Sequence, residues 1–236
     1  FSSLNNFKVN AITLEGAQRL SPESILSQMD LSGTSIIRVK PQEIQEQVLE
    51  SFPSLSSAKV SVGLPATVSL RVTERQPVIL WQQESGSMWI DADGVTFPIR
   101  GESEVAFTVL ANGMPPAAAL ADPDEELETE AEQPLEILSA LAPEPIYPRT
   151  TPEFVQGIIA LSDYVPEGSS LQYDPDFGLG WTDPRGWLVY FGNDISNIDL
   201  KLIEYESITA SLQEKNLTPA LISLEFLYAP FYRLEH

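Results

Sequence analysis

The chain has 236 residues, with 34 acidic and 13 basic side chains and a formal charge of −21. It holds one His and no Cys, which excludes a disulfide framework, a thiol nucleophile, an Fe–S cluster and Cys-ligated zinc, and leaves no internal base for a His-dependent triad. The acidic balance argues against nucleic acid and anionic lipid as partners, because both are bound through basic surface. Hydrophobic residues make up 43%, a globular composition suited to one or two domains. No apolar run approaches the roughly 18 residues of a membrane span. Without an initiator Met or a signal-peptide pattern, Phe1 is read as a start from which a preceding segment has been trimmed. Leu234-Glu235-His236 fits the remnant of a C-terminal tag as well as a native end.

The first 75 residues alternate between strand and helix patterns. Phe7, Val9 and Ala11, then Ile12 and Leu14 out of phase, predict a strand with a bulge. Gly16 ends it. Ser21-Pro22 reads as N-cap and first helical residue, with Ile25, Leu26 and Met29 on one face. After Gly33, Ile36, Ile37 and Val39 predict a brief extended piece. Pro41 opens a second helix with Ile44, Val48, Leu49 and Phe52 at helical spacing, and Pro53 stops it. Ala58, Val60, Val62 and Leu64 alternate with polar residues, turn at Leu64-Pro65-Ala66-Thr67, and continue as Val68, Leu70 and Val72. Two helices on one face of a three-stranded sheet would bury the shared apolar side.

Strand signals continue over Val78–Trp81 and Met88–Ile90. Asp93-Gly94 marks a tight hairpin into Val95–Ile99, and Phe107–Leu110 follows. Seven acids between Asp122 and Glu132 sit among prolines, so residues 111–150 are read as a solvated surface insertion, with a short helix over Leu135–Ala142. Thr151-Pro152 starts a helix carrying Phe154, Ile158, Leu161 and Val165. Short aromatic strands cover Leu171–Tyr173, Gly178–Trp181 and Trp187–Phe191. A longer helix over about 198–215 places Ile198, Leu202, Tyr205, Ile208 and Leu212 on its buried stripe and Lys201 on its exposed side. A last strand, Leu221–Tyr228, alternates Ile222, Leu224, Phe226 and Tyr228 with Leu221, Ser223, Glu225 and Leu227. The expected class is α+β: a β-α-α-β-β unit over 1–75, then a mixed β-sheet domain with two helices over 76–236.

Catalytic and metal signatures are weak. Asp91-Ala92-Asp93-Gly94 lacks the further acids of a calcium loop and reads as a turn. Asp174 and Asp176 flank Pro175, as turn residues do, rather than forming a hydrolytic carboxylate pair. Trp81, Trp89, Trp181 and Trp187 either line a sugar-binding face or pair across strands in the core. Arg75 either contacts a partner or pairs locally. No cofactor motif is present.

The order of these segments resembles the extracytoplasmic part of the FtsQ/DivIB family of bacterial cell division proteins. "FKVNAITLEGAQRLSPESIL" is similar to the opening strand and first helix of that family's POTRA domain, and "SFPSLSSAKVSVGLPATVSLRVTERQPVILW" to its helix end and hairpin. "MWIDADGVTFP" and "LISLEFLYAPFYR" are similar to the opening hairpin and final strand of its β domain. The long acidic, Pro-rich insertion departs from the family. The resemblance implies a non-enzymatic scaffold, anchored in the cell (inner) membrane by one helix preceding Phe1. It implies recruitment of partners of the FtsB/DivIC and FtsL type to the septal machinery, with no small-molecule substrate. It also implies docking at the C-terminal edge, where an unpaired strand is a template for strand addition. The candidate contacts are Leu221, Ser223, Glu225, Leu227, Tyr228, Phe231 and Tyr232, with Lys201 available to an acidic partner. Two other readings are a POTRA-bearing polypeptide transport or outer-membrane assembly protein, and a secreted carbohydrate-binding domain.

Overall fold

The computed structural model describes residues 8–29, 31, 33–63, 66–118 and 142–234. Its residues divide into two compact units. One holds Phe1–Gln76 with Phe97–Ser103 and Leu135–Ile146; the other holds Pro77–Thr96, Glu104–Pro134 and Tyr147–His236.

The first unit runs β1 (Ala11–Glu15), α1 (Pro22–Ser27), a 3₁₀ turn (Ile36–Arg38), α2 (Pro41–Ser51), β2 (Leu55–Gly63) and β3 (Thr67–Glu74). Its sheet order is β1-β3-β2, with β1 parallel and β2 antiparallel to the central β3. The helix starts follow their caps. The Ser21 side chain accepts the Ser24 N–H, and prolines occupy the first turns of both helices, where no N–H is needed. Ile25, Val48 and Phe52 pack on Val68, Leu70 and Val72 in one core. Gly16 has φ +95°, and a Cβ there would lie 2.0 Å from the Val72 carbonyl oxygen, so only glycine lets the chain leave β1 so close to β3.

Some expectations need correction here. The first strand is shorter than 7–14; Lys8 makes only an isolated bridge to Ser35, and Phe7 lies outside the described residues. Ile36–Arg38 is a 3₁₀ turn rather than an extended piece, closed by Arg38 N–H to Ser35 O at 2.8 Å. Leu64 and Pro65 lie outside the described residues, as do 135–141 of the expected Leu135–Ala142 helix and the acidic run 122–132. Residues 111–150 are not wholly a solvated loop. Glu144 is buried, and its carboxylate accepts the Ser54 N–H at 2.8 Å, the Ser54 hydroxyl at 2.8 Å and Arg100 Nε at 2.6 Å. A charge can be buried there because every near oxygen is paired.

The carboxylate of Glu74, at the end of β3, is the second buried charge of this unit. It accepts the N–H groups of Gln18, Arg19 and Leu20 at 2.7, 2.9 and 3.0 Å, and Arg19 Nε at 2.8 Å. Arg19 Nη2 also donates to the Arg75 carbonyl, and Arg75 Nε donates to Pro53 O at 3.0 Å. Arg75 is thus engaged locally, through the backbone of Pro53 and Arg19's contact with its carbonyl.

The second unit runs β4 (Ile79–Gln83), β5 (Gly86–Ile90), the first residue of β6 (Thr96–Pro98), β7 (Phe107–Ala111), α3 (Pro152–Ser162), β8 (Leu171–Asp174), β9 (Gly178–Thr182), β10 (Leu188–Gly192), α4 (Ile198–Glu214), β11 (Leu221–Ser223) and β12 (Phe231–Arg233). The strands form one nine-stranded sheet in the order β12-β11-β10-β9-β8-β7-β4-β5-β6. Three pairs are parallel, β4–β7, β7–β8 and β10–β11, and need crossovers; α3 and α4 lie in the connections of the last two. Both helices contribute to the core that holds Trp81, Val109, Trp181 and Val189. Together the units form the α+β arrangement expected from the strand and helix periodicities.

An ionic cluster joins the β9–β10 turn to α4. The Asp183 carboxylate accepts Arg185 Nε at 2.7 Å, the Arg185 N–H at 2.9 Å, and the Tyr205 hydroxyl. Trp187 Nε1 donates to that hydroxyl at 3.0 Å, and the Arg185 guanidinium sits 4.5 Å above the Trp187 ring. Burial alone would raise the Asp183 pKa, but its bonds from Arg185 and Tyr205 outweigh it and hold the group down at about 2. Burial and the Asp183 contact push the Tyr205 phenol upward.

Burial likewise raises Glu74, yet the Leu20, Gln18 and Arg19 donors leave its carboxyl below the usual range. Both carboxylates therefore stabilise the fold above the ordinary carboxylate range, and that stabilisation is lost as pH falls through their folded values. Glu74→Ala strands three backbone N–H groups and removes the partner of Arg19 Nε, so a urea titration at neutral pH is expected to show a loss of about 3 kcal/mol. Asp183→Asn is expected to cost roughly 1–2 kcal/mol at pH 7, reduced by the solvent exposure of Arg185. Its deficit relative to wild type should narrow as pH is lowered from about 4 toward 2.

Candidate functional site

Following the registers across the second sheet places Met88, Trp81, Val109, Leu171, Trp181, Val189, Ile222 and Tyr232 in one row. Cross-strand partners share a face, and this is the face the helices cover. Every member from Met88 to Ile222 is buried. Tyr232, on the outermost strand, is 43% exposed. The core row therefore runs out at the edge of the sheet with a large side chain still open to solvent.

The backbone of β12 is open too. It pairs antiparallel with β11 through Leu221–Arg233, Ile222–Tyr232 and Ser223–Phe231, and it is the last strand on that side. The Arg233 carbonyl accepts the Ala220 N–H at 2.7 Å. Backbone polar groups alternate sides along a strand, so Phe231 and Arg233 turn theirs toward β11 and Tyr232 turns its N–H and C=O outward. All three residues of β12 are exposed. Phe226, Tyr228 and Leu234 add further exposed apolar surface to this end of the chain, Tyr228 being 96% exposed.

This geometry corrects the expected strand Leu221–Tyr228. The strand stops at Ser223, although the Leu224 N–H still reaches Tyr190 O at 2.7 Å. The chain then turns over Phe226–Ala229, with the Ala229 N–H on Phe226 O at 3.0 Å, and returns as β12 after Pro230. Leu221 and Ser223 do not face outward; both are buried between β10 and β12. Glu225 and Leu227 are half-buried in the return, and Tyr228 sits on the turn rather than in a strand. The open edge is thus built from Phe231, Tyr232 and Arg233. The sequence signal for this was Pro230, which breaks the apolar alternation before a second short β pattern.

Lys201 is also corrected. It is 4% exposed, and its ammonium donates to Phe191 O at 2.6 Å, Asp194 O at 2.7 Å and Glu225 O at 3.0 Å. It is no surface contact for an acidic partner. Burial lowers its pKa, against the pull of Asp194 and Glu225. The spacing held the clue, since Lys201 lies three residues after Ile198 and four before Tyr205, on the buried stripe. Leu202 and Ile208, expected on that stripe, are only partly buried, and Thr209 is buried instead.

The other motifs resolve as structure. Trp81, Trp89, Trp181 and Trp187 are all buried; Trp81 packs against Tyr173 at 4.9 Å and Trp181 against Phe191 at 4.7 Å. They form no exposed sugar-binding face. Asp174 Oδ1 accepts the Asp176 N–H, and Asp91 Oδ1 accepts the Asp93 and Val95 N–H groups, as turn residues do. Among the described residues, no group of three or more His, Cys, Asp or Glu is placed to hold a metal ion. No helix of the described residues is long and apolar enough to cross a membrane.

Comparison with known proteins places a POTRA domain of the FtsQ type at residues 7–75. The cell division protein FtsQ of Chloroflexus aurantiacus is 32% identical over 94 residues, which cover 40% of this chain and 34% of that protein. FtsQ of Corynebacterium glutamicum is 30% identical over 88 residues, covering 37% and 39% of the two chains. FtsQ of Mycobacteroides abscessus is 26% identical over 145 residues, covering 61% and 43%. The similarity thus spans about a third to two fifths of these relatives' own length.

Proposed function

We propose that this chain, which belongs to the FtsQ family of bacterial cell division proteins, is a membrane-tethered, non-enzymatic scaffold of the septal machinery that recruits partners of the FtsB/DivIC and FtsL type. Its anchor is a single helix preceding the first unit, which places both units outside the cytoplasm. Residues 1–75 act as the POTRA domain and the remainder as a β domain. The β domain accepts an extended segment of an FtsB-type partner along β12.

One observation carries this reading. The buried row across the sheet ends at Tyr232, whose side chain is half open and whose backbone N–H and C=O face away from β11. A tenth strand laid there would satisfy those backbone groups and continue the apolar row. The exposed aromatics Tyr228 and Phe231 flank it as anchors of the type that dominate interface energetics. The assembly-protein alternative expects the strand–helix–helix–hairpin unit in tandem, whereas the second unit is a nine-stranded sheet.

The test uses the purified chain and the extracytoplasmic domain of the FtsB-type protein encoded in the same genome. Tyr232→Pro removes the outward N–H at a position where the ladder to β11 needs none, so the fold should persist. Isothermal titration is expected to show at least a tenfold loss of affinity, about 1.4 kcal/mol, with a smaller loss for Tyr232→Ala, which keeps the N–H. Tyr228→Ala and Phe231→Ala should also weaken binding. Wild-type affinity in folded Tyr232→Pro would contradict strand addition at this edge.

A further inference from the structure

Lys201 lies outside the edge strand, yet it grips the segment that leads into it. Its ammonium has three N–H donors and three carbonyl acceptors, at Phe191, Asp194 and Glu225. These belong to β10, to the connection from β10 into α4, and to the residue pair that follows β11. Phe191 and Glu225 lie at the ends of two parallel strands, where the ladder runs out and carbonyls lose their strand partners. A point charge with three rotatable donors suits such a convergence, whereas a planar guanidinium does not.

The two connections also pack directly on each other. Gly192 has φ +81°, and a Cβ there would lie 3.0 Å from Glu225 Cγ and 3.1 Å from Glu225 Cα. From the grip on Glu225, the chain has only the Phe226–Ala229 turn and Pro230 before β12 begins. The β12 strand is three residues long and each of its residues is exposed, so its ladder to β11 is short.

We propose that Lys201 is the positioning residue of the binding edge: by clamping Glu225 to the ends of β10 and α4, it sets the return that holds β12 in register as a template for a partner strand. The binding role of that edge rests on the function proposed above. The clamp itself does not, so the two are tested apart.

The first arm needs no partner. Lys201→Met keeps the side-chain stem and removes all three donors. Amide hydrogen exchange on the full chain is expected to rise at least tenfold at the paired amides of Leu224, Ala229, Phe231 and Arg233, while Leu171–Thr182 in β8 and β9 stays protected. The chain contains no Cys, so Lys201→Cys offers one thiol, and aminoethylation before refolding restores an ammonium at nearly the same reach. That variant is expected to return exchange at those four amides to the wild-type rate. Unchanged exchange in Lys201→Met would overturn the proposal. So would an equal rise across 171–182, because the residue would then be a general stabiliser.

The second arm titrates the FtsB-type domain used above. At least a tenfold loss of affinity in Lys201→Met, recovered on aminoethylation, is expected. If wild type binds and the variant binds equally well, the positioning role fails. If wild type does not bind, the function proposed above fails, while the exchange arm still decides whether Lys201 holds the edge.

Discussion

The last strand of a sheet can satisfy only one of its two backbone edges. This sheet meets that constraint differently at its two ends. The three residues of β6 are buried, whereas the three residues of β12 are all exposed. The openness of β12 coincides with the point where the helix-covered row of large side chains, Trp81 to Ile222, still has one member to come. Tyr232 carries both the unused backbone groups and the unburied side chain. Strand β12 is also only three residues long. Its usefulness as a template therefore depends on what positions it, and the ammonium of Lys201 holds the Glu225 carbonyl shortly before it.

Buried charge does similar work elsewhere in this acidic chain. Glu74 gathers the N–H groups of Gln18, Arg19 and Leu20 where the chain enters α1. Glu144 holds the returning 142–146 segment to Ser54 and Arg100. Asp183 ties the β9–β10 turn to Tyr205 on α4. In each case a side chain supplies acceptors or donors that a loop backbone cannot find in a ladder. Pairing offsets the desolvation of the charge, and removing one partner would leave the other buried alone. The net charge of −21 thus says little about these groups, which are few, internal and matched.

The first unit was legible because its signals are local. The Ser21-Pro22 cap, Pro41, Pro53 and the alternation from Ala58 to Val72 each specify an element within a few residues. The strands of the second unit were legible for the same reason. The C-terminal edge was not, because Ile222, Leu224, Phe226 and Tyr228 alternate as one long strand would. Nothing local reveals that β10 and β12 enclose β11 and bury Leu221 and Ser223 from both sides. Lys201 reads as exposed from its residue type, whereas its helical position puts it on the buried stripe. A lysine on the buried stripe is intelligible only once the three converging carbonyls are seen. Glu144 was hidden in the same way, inside a Pro-rich stretch whose composition resembles solvated loop.

The proposed role of this edge depends on whether the outward groups of Tyr232 take a partner strand. Residue-resolved amide exchange by NMR, on the chain with and without the FtsB-type extracytoplasmic domain, tests this directly. The Tyr232 amide is expected to exchange quickly in the free chain and to be slowed by at least two orders of magnitude in the complex, as a new ladder bond requires. A complex that forms while the Tyr232 amide remains as fast as in the free chain would contradict the account.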